Sequence, residues 1–546
     1  MGVTTTSPLP IPSPAYEHWA RAVAERRRDA VLRPLWLTAV AVAVLLGGAL
    51  RLAPALAADF PLNDGGLFYL MTVELRDAGY SLPAFTSYNS AGIPYAYPPI
   101  GFYLAGLAAD LTGSSLLDVV RVLPAVVSTL TIPVFFLLAR TLLGSSGAGA
   151  IATVTFALLP RTFSWLIMGG GLTRAPGFLF ALLVLHQAHL MYTRPERRYV
   201  AYTAVAGAAA VASHLEIGWF AAYSAALLFI VYGRHRQGVM RTLAAGVGVL
   251  VLSAPWWATV VLRHGVQPFQ AAAKGAEIAT HPLWLKTFNF TGEPQLTLFG
   301  VLGLIGLFVA LAERRWLFPL WLGAIYLLNP RNPVTVAAVP LAMLVALAMH
   351  HVIVPGVLRA ARSDGSLSTR LQRHTHGRVV AGALLAVLTA YAFLGVRRVR
   401  DFDEGFRALG ADERTTLDVV ARNTPADARL LLLTFEPEFF GYDRLSEWMP
   451  ALIRRTSVTT VQGYEWLPGR ELDRRLRRYA DVRSCATRDI ACVEGWVRSG
   501  GTQFSHVLLR KEGCCALLES SLRASAAYRL LADRPDAALF ARVQTR

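Results

Sequence analysis

The sequence Asn63-Asp64-Gly65-Gly66 places a carboxylate directly after an apolar segment long enough to span a membrane. A carboxylate can take a proton from a weak nucleophile, which is general base catalysis. We therefore predict that Asp64 is a catalytic base at the outer face of a membrane protein, with Asn63 lining the same pocket. The structural alternative is a plain N-cap, in which Asn63 or Asp64 caps a helix running to about Gly79.

The composition of the chain is that of a polytopic helical membrane protein. It has 546 residues, of which 54% are hydrophobic and 16% are charged, and its mean hydropathy is +0.42. Apolar runs of about 20 residues, the length that spans a bilayer core as a helix, recur from Leu35 to Val396. The net charge of +17 fits basic cytoplasmic loops, so we expect membrane lipids and no nucleic acid as partners.

The apolar runs predict eleven spanning helices. They lie at about residues 35–56, 118–142, 147–168, 173–192, 199–214, 216–233, 242–263, 295–312, 316–329, 332–357 and 379–396. The apolar stretch 99–113 is short for a span and contains Asp110, so we predict a helix that lies in the outer interface. With that choice the arginines are concentrated in the inner loops, which puts the N-terminus in the cytoplasm and the C-terminus outside.

This topology divides the chain into three parts. Residues 1–34 form a basic cytoplasmic segment, and residues 35–396 form the transmembrane domain, whose outer loop 57–117 carries Asp64. Residues 397–546 form an extracytoplasmic domain of α/β class. Its predicted elements are strands at 430–434 and 505–509, helices at 470–479 and 514–522, and a terminal hairpin at 528–543.

All four cysteines lie in the C-terminal domain: Cys485, Cys492, Cys514 and Cys515. Their spacing is unlike that of a zinc site, and their clustering in a polar domain predicts disulfides in an oxidising compartment. Four cysteines allow three pairings. Because a bond between adjacent cysteines is strained, we expect Cys514 and Cys515 to reach back to Cys485 or Cys492.

The order of motifs resembles that of the GT-C glycosyltransferases, the superfamily of the protein O-mannosyltransferases and aminoarabinose transferases. A spanning helix is followed by the acidic motif, by Tyr95-Ala96-Tyr97-Pro98-Pro99, and by the Arg-x-Leu-Pro helix within Leu116–Gly144. The resemblance is good over residues 35–260 and only architectural beyond them. It implies a polyprenyl-phosphate–sugar donor, an acidic catalytic residue that matches Asp64, and an inverting displacement.

The cations that would bind the donor phosphate are less well matched. In the aminoarabinose transferases a lysine precedes the Pro-Pro pair, and here that position is Tyr97, which we place among the pocket-lining residues. Arg174 follows Gly169-Gly170-Gly171 at the predicted outer start of a helix, and a guanidinium binds phosphate oxygens in bidentate fashion. Arg331 and Lys286 are further candidates. The alternative for Arg174 is an interfacial arginine that reaches lipid headgroups.

Other polar and aromatic residues line the predicted outer face. His214 and Glu216 are expected in the pocket, where together with Asp64 they could bind a divalent cation; no metal site or other cofactor is firmly predicted. Trp448, Tyr464 and Trp466 are candidates for binding the acceptor, and packing is their alternative role.

We therefore predict an enzyme that transfers a sugar from polyprenyl phosphate to a hydroxyl of a lipid, a cell-envelope glycan or a protein. The near absence of lysine in favour of arginine indicates a prokaryote, hence the plasma membrane. The alternatives are a non-catalytic membrane assembly partner that keeps the fold and a transporter of lipid-linked sugars, since fold does not determine function.

Overall fold

The computed structural model describes residues 14–274, 297–329, 333–357, 379, 382–391, 393–395, 406–434, 440–511 and 515–543, with side chains from Arg33 onward. Its helices are α1 Pro14–Ala57, α2 Gly66–Asp77, α3 Ile100–Thr112, α4 Leu116–Leu143, α5 Ser146–Leu158, α6 Gly171–Thr193, α7 Arg198–Val211, α8 Leu215–Leu228, α9 Arg236–His264, α10 Gln267–Lys274, α11 Leu298–Ala312, α12 Leu317–Leu328, α13 Pro333–Ala348, α14 Ala411–Asn423, α15 Arg444–Ile453, α16 Glu471–Arg483, α17 Ile490–Arg498 and α18 Ala516–Ala524. A further helical stretch lies within Gly382–Gly395.

Six helices of the described residues are long and apolar enough to cross a membrane. They are Arg33–Ala57, Leu116–Leu143, Gly171–Thr193, Leu215–Gly233, Arg236–His264 and Pro333–Val357. The other five predicted spans also contain helix, and the helical part that the structure describes in each is shorter than a bilayer core requires. The predicted class, a polytopic helical membrane protein with a C-terminal α/β domain, is confirmed, while the number of eleven spans stays a prediction.

The predicted span at 147–168 is wrong at its end, because α5 stops at Leu158. Pro160 starts a short 3₁₀ turn, and a second 3₁₀ turn covers Ser164–Leu166. A proline lacks the amide hydrogen that a continuing helix would need. Residues 159–170, here called the α5–α6 segment, are therefore an irregular connection that leads directly into α6.

The helices of the membrane part pack around a common apolar core. Helix α4 contacts α1, α5 and α6, and α13 packs against α5 and α11. The rings of Phe135 on α4 and Phe156 on α5 stack with centroids 4.1 Å apart. This packing fixes the positions of α1, α4, α5 and α6, at whose ends the outer loop and the α5–α6 segment begin.

The C-terminal domain contains a five-stranded mixed sheet with strand order β4-β3-β5-β7-β6. Its strands are β3 Arg429–Leu433, β4 Thr456–Ser457, β5 His506–Arg510, β6 Tyr528–Asp533 and β7 Ala537–Arg542, and a small pair, β1 Phe85–Thr86 and β2 Ile93–Pro94, lies in the outer loop. Strand β3 is parallel to β4 and β5, whereas β7 is antiparallel to β5 and β6. The two predicted strands and the terminal hairpin are confirmed.

The expected disulfide pairing is wrong for two of the cysteines. Cys485 and Cys492 bond to each other, so neither is reached from Cys514 or Cys515. The bond links the end of α16 to α17 and closes a short loop with a sequence separation of 7. Cys515 is disulfide-bonded as well, and Cys514 lies outside the described residues.

The C-terminal domain rests on the outer loop that carries Asp64. Helix α2 packs against α15, and Leu62 forms an isolated antiparallel bridge with Ala408. Asp59 pairs with Arg414, with 2.5 Å between Oδ2 and Nη2. The outer loop is therefore held between the membrane helices and the C-terminal domain.

Candidate active site

Residues Asn63–Gly66, here called the Asp64 turn, include two residues with a positive φ. Asn63 has φ +52° and Gly65 has φ +124°, both in the region that L residues rarely adopt. Helix α2 begins at Gly66 with Gly65 as its N-cap, and no side chain caps it. The N-cap alternative is therefore wrong: neither Asn63 nor Asp64 caps α2.

The carboxylate of Asp64 instead contacts the N-terminus of α6. Its Oδ1 accepts a hydrogen bond from the Gly170 amide at 2.8 Å, and its Oδ2 pairs with Nη2 of Arg174 at 3.2 Å. Gly170 is the N-cap of α6, where the helix dipole favours an anion. Both contacts stabilise negative charge on a side chain that is only 4% exposed.

The glycine run Gly169–Gly171 is required for this contact. A Cβ on Gly170 would lie 2.3 Å from Oδ2 of Asp64, and a Cβ on Gly169 would lie 1.8 Å from the Asp64 carbonyl oxygen. Such distances are impossible for real atoms, so any side chain would push the two segments apart. The glycine run is therefore tightly packed against the Asp64 turn.

Arg174 lies in the first turn of α6 and is the more accessible partner of the pair. Its side chain is 24% exposed, and its guanidinium lies over the Trp165 ring, 5.3 Å from the centroid. Trp165 in turn stacks on Tyr442 of the C-terminal domain, with centroids 5.7 Å apart. Arg174 therefore lies where the membrane part meets the C-terminal domain, and its side chain is more accessible than that of Asp64.

Arg51, near the C-terminal end of α1, is a fully buried cation that no sequence pattern indicated. Its guanidinium donates hydrogen bonds to the Ala157 carbonyl at 2.7 Å and to the hydroxyls of Ser128 and Thr162 at 3.2 Å. It also lies 4.5 Å from the centroid of the Phe163 ring. These bonds join α1 and α4 to the α5–α6 segment and so hold the segment that leads into the glycine run.

Glu447, on α15, approaches the Asp64 turn from the other side. Its Oε1 accepts a hydrogen bond from the Gly65 amide at 2.9 Å, and its backbone carbonyl accepts one from the Tyr88 hydroxyl at 2.6 Å. A Cβ on Gly66 would lie 2.5 Å from that carbonyl oxygen. The helix backbone of the C-terminal domain thus packs directly on the turn.

Further contacts from the C-terminal domain fix Asn63. The Trp448 indole donates to the Asn63 carbonyl at 2.9 Å, and the Asn63 amide nitrogen donates to the Gly441 carbonyl at 2.8 Å. Asn63 has no exposed surface. The predicted pocket-lining residue Asn63 is therefore next to the site, where it anchors the turn.

The environment of Glu447 raises its pKa to about 8. Burial is the main cause, and the negative charge of Asp64 adds to it. The Gly65 hydrogen bond and the charge of Arg174 act in the opposite direction but are weaker. At neutral pH Glu447 is therefore an uncharged acid, a perturbed ionisation of the kind that is common at functional sites.

Tyr97 lies on the C-terminal-domain side of the outer loop. Its hydroxyl donates to Glu465 at 2.9 Å, and its ring packs against Phe68 and Trp466 at centroid distances of 4.9 and 4.8 Å. Tyr97 is half-buried in this cluster. It is linked to the site through α2, and its role in binding the donor stays a prediction.

The three aromatic residues predicted to bind the acceptor are buried. Trp448 has no exposed surface, and Tyr464 and Trp466 are 7% and 3% exposed. Trp448 holds the Asp64 turn, and the Tyr464 ring stacks against the guanidinium of Arg475. This burial favours the packing alternative for all three.

Of the remaining candidates, the structure describes His214 and Glu216. His214 is the N-cap of α8 and packs near Gly177, one turn beyond Arg174 on α6, and Glu216 lies in the first turn of α8. Lys286 and Arg331 lie outside the described residues. Within the described ranges no group of three or more His, Cys, Asp or Glu residues could hold a metal ion, so the divalent cation has no support from this arrangement.

Comparison with known proteins identifies structural neighbours. No family model matches the sequence, and no curated protein matches it significantly. The crystal structure of ArnT from Cupriavidus metallidurans bound to undecaprenyl phosphate matches with a TM-score of 0.53 and 15% identity over 93% of this chain and 98% of that one.

Two further glycosyltransferases match over much of the chain. AglB from Archaeoglobus fulgidus, an oligosaccharyltransferase in complex with an inhibitory peptide and a dolichol-phosphate, has a TM-score of 0.53 and 14% identity over 87% of this chain and 69% of that one. The arabinofuranosyltransferase AftD from Mycobacteria has a TM-score of 0.55 and 18% identity over 94% of this chain and 40% of that one. At these identities the matches show a shared fold.

Proposed function

The chain has the GT-C fold, and on that premise we propose that it transfers a sugar from a polyprenyl-phosphate carrier to an acceptor hydroxyl, with Asp64 as the general base. The observation that carries the proposal is the contact of Asp64 with Arg174 and the Gly170 amide at the N-terminus of α6. The proposed base and the proposed phosphate-binding cation lie within 3.2 Å of each other, where the membrane part meets the C-terminal domain.

The chemistry needs these two groups next to each other. Asp64 takes the proton of the acceptor hydroxyl while that oxygen forms a bond to the anomeric carbon of the donor sugar. The bond between the anomeric carbon and the carrier phosphate breaks, and the polyprenyl phosphate leaves with the electron pair. Arg174 stabilises the charge that develops on this phosphate. A single displacement of this kind inverts the anomeric carbon.

The pairing of Arg174 with Asp64 suggests how donor binding would free an oxygen of the base. Without donor, the guanidinium pairs with Oδ2 of Asp64. A phosphate diester or monoester that binds Arg174 competes for the same nitrogen atoms, and its bidentate geometry is favourable. Donor binding would then release one oxygen of Asp64 for the acceptor hydroxyl, at a position beside the sugar.

The neighbours support the substrate classes in general terms. ArnT was solved with undecaprenyl phosphate and AglB with a dolichol-phosphate and a peptide. We propose a lipid-linked donor, and as acceptor a lipid, a cell-envelope glycan or a protein. We also propose the prokaryotic plasma membrane, with the N-terminus in the cytoplasm and the C-terminal domain outside.

The test measures sugar transfer by the purified protein. A panel of polyprenyl-phosphate sugars is first screened for thermal stabilisation of the protein, and the sugars that stabilise it are then used as donors. Asp64→Asn should lower transfer by at least about a thousandfold while donor stabilisation remains, because the amide cannot take a proton. Asp59→Asn is the matched control, since Asp59 is an exposed carboxylate of the same loop, paired with Arg414.

Three results would contradict the proposal. Transfer by Asp64→Asn at the parent rate would show that Asp64 is not the base. Donor stabilisation without transfer to any acceptor class would favour a non-catalytic partner, and movement of the donor across vesicles without transfer would favour a transporter.

A further inference from the structure

We propose that Glu447 of the C-terminal domain is a positioning residue of the active centre, which holds the Asp64 turn as an uncharged acid and disables the base when it ionises. This inference rests on the proposed function for its kinetic readout. The geometry that supports it is independent of that function, because it concerns the contacts of Glu447 with the turn.

The first support is the position of the side chain. Glu447 is 6% exposed, and its Oε1 accepts from the amide of Gly65, the residue directly after the proposed base. With Oε1 occupied as an acceptor, the proton of the neutral acid resides on Oε2. The hydrogen bond fixes Gly65 in its positive-φ conformation, and that conformation determines where the carboxylate of Asp64 points.

The second support is the rigidity of the attachment. Tyr88 donates to the Glu447 carbonyl at 2.6 Å, the neighbouring Trp448 donates to Asn63 at 2.9 Å, and Gly66 leaves no space for a side chain against α15. The backbone of Glu447 cannot move without the Asp64 turn. A negative charge on the Glu447 side chain would therefore act on the Asp64 turn, because the backbone that carries the side chain is held in place.

The third support is electrostatic. The charged groups that affect Glu447 are Asp64 from the turn, Arg174 from α6 and Glu465 from the segment before α16, and Asp443 lies one turn earlier on α15. Burial opposes ionisation most, and the charges of Asp64 and Glu465 add to it, so the pKa of Glu447 rises to about 8. Ionised Glu447 would give Arg174 a second carboxylate beside Asp64 and would repel Asp64 from its place.

The neutral acid thus leaves Asp64 as the negative partner of Arg174. As pH rises through about 8, Glu447 loses its proton, and the rate of transfer should fall. Glu447→Gln keeps an oxygen that can accept from the Gly65 amide and removes the ionisation. Glu447→Ala removes both.

The experiment measures kcat and donor KM of the parent and of both variants between about pH 6 and pH 9.5. We expect the parent to lose most of its kcat above pH 8, and Glu447→Gln to lack this alkaline fall. At about pH 7, Glu447→Ala should have a kcat at least roughly tenfold below that of Glu447→Gln, because the Gly65 amide loses its acceptor.

Asp443→Asn is the matched control. Asp443 is a second buried carboxyl of raised pKa on the same helix, and it accepts from Thr434, Tyr479 and the Ser446 amide instead of from the Asp64 turn. This variant should keep the alkaline fall. The same fall in Glu447→Gln as in the parent, or its loss in Asp443→Asn, would overturn the inference.

A readout without catalysis separates this inference from the proposed function. Glu447 holds its proton in the folded protein up to about pH 8 but ionises in the unfolded chain, so its contribution to stability falls as pH rises towards 8. The melting temperature of the parent should therefore fall relative to that of Glu447→Gln between about pH 5 and pH 8. A constant difference overturns the inference about Glu447, whatever the protein transfers.

Discussion

Asp64 lies between two regions of the molecule that act on its charge in opposite ways. The membrane part contributes Arg174 and the N-terminus of α6, which stabilise a negative charge. The C-terminal domain contributes Glu447, a buried acid whose ionisation is opposed by burial and by the charge of Asp64. On the proposed function, one region supplies the cation and helix end that contact the carboxylate of the base, and the other supplies an acid that is uncharged at neutral pH.

The two regions also differ in how they hold Asp64. The membrane part holds the carboxylate itself, through a glycine run that admits no side chain. The C-terminal domain holds the backbone around it, through Gly65 and the carbonyl of Asn63. Substitutions on the membrane side should therefore affect chemistry more strongly, and those on the other side should affect geometry and stability.

Among substitutions that keep Asp64, the largest effect should come from Gly170→Ala on the membrane side. The new methyl would lie 2.3 Å from Oδ2 of Asp64, so the carboxylate must leave Arg174 and the helix N-terminus. We expect kcat to fall at least about a hundredfold. Gly246→Ala on α9 is the control, because nothing lies within 4 Å of its Cβ position; equal activity of both variants would refute the packed contact.

Arg174→Ala should come next. Without the guanidinium, the donor phosphate loses its cation, and we expect at least about a tenfold rise in donor KM together with a lower kcat. Arg263→Ala removes an arginine whose guanidinium donates to the Leu82 carbonyl, and it should leave both constants near the parent values. An unchanged KM in Arg174→Ala would assign phosphate binding to other residues, such as Lys286 or Arg331.

Trp448→Phe addresses the C-terminal side. It removes the indole donor to the buried Asn63 carbonyl, and we expect a loss of unfolding free energy of about 1–3 kcal/mol with a smaller effect on kcat. Trp219→Phe is the control, since its indole also donates to a carbonyl but is 51% exposed. A larger loss of kcat than Arg174→Ala gives would reverse the ranking of the two regions.

The smallest effect should come from Tyr97→Phe. The variant loses the hydrogen bond to Glu465 but keeps the ring packed against Phe68 and Trp466. We expect kcat and donor KM to stay within about threefold of the parent, because the hydroxyl points to the C-terminal domain. A rise in KM like that of Arg174→Ala would show that Tyr97 binds the donor.

The residues of the membrane side could be predicted because their signals are local. Asp64 and Arg174 each stand beside glycines at the end of a strongly apolar run, and both features are visible within ten residues of sequence. The sequence did not show that the glycine run packs on Asp64, since that contact joins residues 106 apart. The span predicted at 147–168 also ended too late, although Pro160 indicated the end of α5.

Glu447 could not be predicted, since it is 382 residues from Gly65 in sequence. In the first turn of α15 it has the position of an ordinary carboxylate that favours a helix N-terminus. Arg51 was hidden for a similar reason, because its acceptors come from α4, α5 and the α5–α6 segment. Both are tertiary features that no pattern of neighbouring residues encodes.

The most direct measurement of the central claim is a density map of the Asp64→Asn variant with a bound polyprenyl-phosphate sugar. We expect the carrier phosphate to contact the Arg174 guanidinium and the anomeric carbon to lie beside residue 64, on the side that faces the C-terminal domain. A phosphate bound elsewhere, with Arg174 still turned towards residue 64 and no sugar next to it, would contradict the account.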